Sequence, residues 1–167
     1  MHPSRLNPEE FWKQCKMETT RRGGPGGQHR NKVESAVVLR HEPTGIQAEA
    51  NERRSQADNR KVAIARLRLR IALEHRGKTD SDSPSDLWLS RLKNKRLLIS
   101  ADHEDYAALI AEALDVLSVH KMDQPASAEI LRTSSSQLTK LFSQHPQAWQ
   151  TLNVLRVQQG LSPLKST

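Results

Sequence analysis

The sequence predicts an α+β fold: a small domain with a mixed or antiparallel sheet and one packed helix, followed by an all-α region. Three observations carry this. Residues 34–51 alternate like a β-hairpin around a Pro-Thr-Gly turn. Residues 55–77 form a long, well-capped helical pattern. Beyond the polar stretch "KTDSDSPSD" every segment has helical periodicity. The expected organisation is a first domain over 1–78, a linker over 79–86 and a helical domain over 87–167.

Each element has a local cause. In "LNPEEFW", Asn7 suits the cap, Pro8 the first helical position, and Glu9 and Glu10 the positive end of the dipole. "KQCKMETT" alternates Cys15, Met17 and Thr19 against Lys16, Glu18 and Thr20, which predicts a half-buried strand. In the hairpin, Ala36–His41 is rich in β-formers, Pro43-Thr44-Gly45 turns the chain, and Ile46, Ala48 and Ala50 alternate with polar residues. The long helix starts at a Ser55/Asp58 capping pair and is expected to stop at Gly77. It carries two apolar stripes, Val62-Ala65-Leu69-Ala72-Leu73 and Ile64-Leu67-Ile71. One stripe can cover the sheet, and the other is predicted to pack on the C-terminal half, because a row of exposed aliphatics is costly. Further on, "DHEDYAALIAEALDVLSVH" reads as an amphipathic helix. A short helix, a turn near Thr133-Ser134 and a serine-capped helix then have helix-turn-helix spacing, with Ser136, Gln137, Thr139 and Lys140 on the polar face. Pro146 opens a last helix that ends at Gly160.

Charge divides the chain. Up to Lys78 there are 17 Lys+Arg against 9 Asp+Glu, and after it 9 against 10. The basic excess belongs to the first half, as expected of a surface that meets a polyanion such as nucleic acid. With one cysteine, Cys15, neither an internal disulfide nor a cysteine-based zinc site is expected. No metal or other cofactor is expected. The start "MHPSRLNPEEFWKQ" lacks a hydrophobic signal core, and no apolar run reaches membrane-spanning length, so the expectation is a cytoplasmic protein with no membrane partner.

The densest signal is "RRGGPGGQHRNK", Arg21 to Lys32: four glycines and a proline in five positions, then the neutral Gln28, with cations on both flanks. It resembles a phosphate-cradling loop but fits no nucleotide template. Lys32 stands five residues after Gly27 and Val33 follows it, so the Walker spacing and its hydroxyl are missing. His29 occupies the third glycine position of a dinucleotide fingerprint. Glycines do leave a tip without side chains and open to backbone angles closed to other residues. An amide supplies donor and acceptor groups without the desolvation cost of a charge. Glu34 and His29 are the nearby acid–base groups, although such positions more often carry solvated or structural side chains.

"GGPGGQ", then Asn31-Lys32 and Ser35-Ala36-Val37, then "PTGI" and "ERRSQADNR" together resemble the catalytic domain of class I peptide chain release factors over Met17 to about Gly77. The resemblance implies an enzyme: ribosome-dependent hydrolysis of the peptidyl-tRNA ester, with Gly26, Gly27 and Gln28 as the catalytic triplet. It implies large-subunit RNA and peptidyl-tRNA as partners. By their charge and place, Arg21, Arg22, Arg30, Asn31, Lys32, Arg53 and Arg54 are the candidates to hold RNA, although Arg30 stands where many relatives have an apolar residue. Gln28 is a candidate for methylation by a glutamine methyltransferase, as in family members.

Departures from the family shape the expectation further. Only 22 residues precede Gly23, which leaves no room for a codon-reading region, so the sequence looks like the short, codon-independent ribosome-rescue relatives. The stretch "RVQQGLSPLKST" carries only Arg156 and Lys165, unlike the basic tails some of those relatives use. The helical half is instead expected to dock on ribosomal RNA, tRNA or a partner protein, and the chain is expected to be a monomer. Two other functions stay open from the residues: a non-catalytic ribosome- or RNA-binding factor that keeps the fold, and a helix-turn-helix nucleic-acid-binding protein.

Overall fold

A computed structural model describes residues 1–21, 35–78 and 83–165. The chain opens with a 3-10 turn, Pro3–Arg5, and helix α1, Pro8–Lys13. The Asn7 side chain accepts from the Glu10 N–H at 2.9 Å, the expected cap. Strands β1 (Cys15–Thr20), β2 (Ala36–His41) and β3 (Gln47–Ala50) form an antiparallel sheet in sequence order. Gly45, at φ +71°, makes the β2–β3 turn, in the left-handed region where glycine is unstrained. β2 is the buried strand of the sheet. β1 is more open than a half-buried strand, with Met17 37% exposed, because helix α2 (Gln56–Glu74) lies over β2 and β3.

Helix α2, Gln56–Glu74, divides its faces as the two stripes anticipate, with shifted membership. Ala63, Leu67 and Ile71 join Phe11, Val37 and Leu39 beneath the sheet, with Val62 and Ile64 at the margin. Leu69, Ala72 and Leu73 face the C-terminal region. Ala65 is exposed. The helix ends at Glu74 with His75 as its cap, three residues before the expected Gly77. Gly77 has another task. Its N–H donates to Asp115 Oδ1 at 2.9 Å, and an added Cβ would lie 2.8 Å from Asp115 Oδ2. Close approach, not helix termination, requires glycine there.

The C-terminal region is helical: α3 (Asp86–Ser90), α4 (Tyr106–Val119), α5 (Gln124–Ile130), α6 (Ser135–Ser143) and α7 (Pro146–Gln158). A short ribbon, β4 (Leu92–Lys93) with β5 (Arg96–Leu97), interrupts it. Asn94 and Lys95, at φ 50° and 63°, form its two-residue turn, the hairpin geometry that matches strand twist. α4 is the axis of this region. The sequence suggests an amphipathic helix, yet every residue from Tyr106 to Leu117 is buried. α2, α5, α6 and the 3-10 turn surround it. Trp88 is fully buried and donates its indole N–H to the Leu131 carbonyl at 2.8 Å.

The acidic residues of α4 are buried with partners. Glu112 accepts from the Ser85 N–H at 2.7 Å and the Ser85 hydroxyl at 2.5 Å, and Asp115 accepts from Arg76 at 3.2 Å as well as from Gly77. They hold the two ends of the segment between α2 and α3. Burial raises the Asp115 carboxyl pKa, opposed by the Gly77 N–H and Arg76. His2 lies in the same seam, bonded to the His75 carbonyl at 2.9 Å, and burial pushes its pKa down to about 4. Among the described residues, no helix is long and apolar enough to cross a membrane.

Candidate functional site

The site is defined by one end of the sheet. The β1–β2 ladder closes with the pair Thr20↔Ala36, so the segment between them leaves and re-enters at that end. Gly26, Gly27 and Gln28, together with Arg22, Arg30, Asn31 and Lys32, as well as His29 and Glu34, lie outside the described residues. Arg21, the last residue before that segment, is exposed.

The antiparallel register brings a second segment to the same end. Val37 pairs with Ala50, so β3 finishes beside the start of β2, and Asn51 to Ser55 run on from there into α2. Arg53 and Arg54 therefore sit at the same end of the sheet as Ser35. Both are exposed, and among the described residues neither side chain forms a hydrogen bond or ion pair. The other arginines near the sheet are mostly engaged. Arg66 binds the Glu52 carboxylate and the Glu49 carbonyl, Arg70 binds Glu74 at 2.8 Å, and Arg68 binds the Leu6 carbonyl at 2.9 Å. Arg60 lies over the Trp12 ring, 4.1 Å from its centroid. Among the described residues, the Arg53 and Arg54 side chains thus have no internal contacts to break on meeting an anion. The N-terminus of α2, with its partial positive charge, opens toward the same end.

Ser55 acts as a cap: its hydroxyl accepts from the Asp58 N–H at 3.3 Å. Sequence reasoning missed Asn59, one turn further on. Its fully buried side chain donates to the Ser35 carbonyl at 2.6 Å and the Arg53 carbonyl at 2.9 Å, and accepts from the Arg53 N–H at 2.9 Å. A polar residue amid the apolar periodicity of the helix was the available signal.

Other reactive groups are remote or quenched. Burial pushes the Cys15 thiol up to about 11, which keeps it neutral. His41 lies at the opposite end of the sheet, bonded to Thr44 at 2.8 Å and Gln14 at 2.9 Å, with its pKa lowered by burial. Among the described residues, no cluster of His, Cys, Asp and Glu is arranged to hold a metal. In the helix-turn-helix-like pair, Gln137 accepts from the Leu97 N–H at 3.2 Å and Thr139 bonds Gln124 at 3.3 Å. Half of the proposed reading face is thus used to pack α6 on its neighbours.

Residues 10–100, more than half of the chain, match the model of the RF-1 domain. The chain is 48% identical over 67 residues to peptide chain release factor 1 of Symbiobacterium thermophilum, covering 40% of this chain and 18% of that protein. It is 44% identical over 70 residues to the mitochondrial peptide chain release factor 1-like protein of Mus musculus, covering 42% and 18%. The matched region spans under a fifth of the length of these relatives. The match of the family model over more than half of the chain's length makes this chain a member of the RF-1 domain family.

Proposed function

We propose that the protein is a ribosome-dependent peptidyl-tRNA hydrolase that releases the nascent peptide from stalled ribosomes or large subunits without reading a codon. The observation that carries this reading is the sequence Gly26-Gly27-Gln28 within the family domain, between strand ends paired at Thr20 and Ala36. In the reaction, water attacks the ester carbonyl, the bond to the ribose oxygen breaks, and that oxygen takes up a proton. The Gln28 backbone N–H donates to the departing oxygen or to the developing oxyanion. Its side chain confines the water and keeps larger nucleophiles out. Arg21, Arg22, Arg30, Asn31, Lys32, Arg53 and Arg54 hold RNA phosphates, which fixes register without reading sequence. Among the described residues Arg53 and Arg54 have no competing side-chain partner, which favours this role. The helical region docks on ribosomal RNA, tRNA or a partner protein, and a glutamine methyltransferase modifies Gln28.

The test is peptide release from peptidyl-tRNA on three substrates: ribosomes with an empty A site, ribosomes on truncated mRNA, and isolated large subunits. Release on at least one, with no gain from a stop codon, is expected. Gln28→Pro, which removes the backbone N–H, should lower the rate by about 100-fold or more while ribosome binding is retained. Binding without release by the unmutated protein would instead identify a non-catalytic RNA-binding factor.

A further inference from the structure

Asn59 is anchored in the first turn of α2 by its own N–H, which donates to the Ser55 carbonyl at 3.0 Å. From there its amide uses both donor hydrogens and its acceptor on two separate chain segments. Ser35 lies one residue beyond the last strand pair, and its carbonyl is held by this side chain at 2.6 Å. The N–H and C=O of Arg53 both face the same amide, each at 2.9 Å. Aspartate lacks the two donors, glutamine is longer by a methylene, and an apolar residue would leave buried backbone groups without partners.

We propose that Asn59 is a positioning residue for the hydrolysis reaction: it locks the re-entry point of the glycine-rich segment, at Ser35, to the backbone of the phosphate-facing Arg53. This rests on the function proposed above. A triplet that must enter a crowded RNA cavity gains from a stem whose relation to its nearest phosphate anchor is fixed. Misplacement by about 1 Å is enough to cost on the order of 100-fold in rate. A purely structural amide would set stability and leave turnover alone.

The variants are Asn59→Asp, which keeps the acceptor for the Arg53 N–H and loses both donors, and Asn59→Ser. Each is assayed well below its melting temperature, with folding checked by circular dichroism. The expected result is a kcat lowered by about 10- to 100-fold with KM close to wild type. Wild-type kcat in either folded variant overturns the proposal. Amide hydrogen exchange of the unmutated protein supplies a second readout that does not depend on variant folding. The Arg53 amide should be protected to the same degree as the interior of α2, and exchange at the rate of an open loop overturns the lock. Absence of release by the unmutated protein would count against the proposed function, whereas rapid Arg53 exchange counts against the lock alone.

Discussion

The two cores differ in size. Beneath the sheet, Phe11, Val37, Leu39, Leu67 and Ile71 are joined by the small residues Ala48, Ala50 and Ala63. The core around α4 is larger: Trp88, Tyr106, Phe142, Ile110 and a series of leucines pack there with small residues of their own, among them Ala111 and Ala113. The thin core carries the basic surface and the open sheet end, and the thick one carries near-neutral charge. The open sheet end is thus presented by the smaller of the two cores. α2 joins them, because its opposite faces belong to one core each.

The sharpest way to break this comparison is Trp88→Ala. Losing a fully buried indole and its bond to Leu131 should destabilise the protein by about 3–5 kcal/mol. If α2 couples the cores, sheet and helical signals will still melt together, whereas two separate transitions would show independent cores. Leu67→Ala, in the thin core, should cost about 2–5 kcal/mol, with the same single transition.

The seam between the cores should respond to acid. The folded-state pKa of His2 is lowered to about 4 from an ordinary value of 6.5, because burial disfavours the charged ring. The unfolded chain then binds more protons between those values. This contribution is fully present above pH 6.5 and is lost as pH falls toward 4. His75, Arg76 and Arg5 add positive charge facing His2. Asp115, with its raised pKa, works in the opposite direction in the acidic range. Melting temperature measured against pH should therefore decline below about pH 6.5, and His2→Asn should flatten that decline. The smallest effect is expected from Ser55→Ala, about 1 kcal/mol from a lost cap, read by urea denaturation.

What was legible in the sequence was local. The Asn7 and Ser55 caps, the Gly45 turn and the alternation of β3 each follow from a few neighbouring residues, and the structure has them. The burial of Glu112 and Asp115 was not legible, because charged residues at helical spacing ordinarily mark a solvated face. Their partners, Ser85 and Gly77, lie 27 and 38 residues away. Asn59 escaped notice for the same reason: its partner Ser35 lies 24 residues earlier. At the candidate site, the triplet could be read as a motif and the arginine pair as charge. That Arg53 and Arg54 share an end with Ser35 needed the strand register.

The double allegiance of α2 has a consequence for engineering. A chimera that exchanged the helical region for that of a distant relative, cut at the polar stretch after Lys78, would set foreign side chains against Leu69, Ala72 and Leu73. It would also leave Gly77 facing a helix lacking its matching carboxylate. A graft has to bring that face of α2 with it, so the helical region is inherited together with part of the sheet's own scaffold.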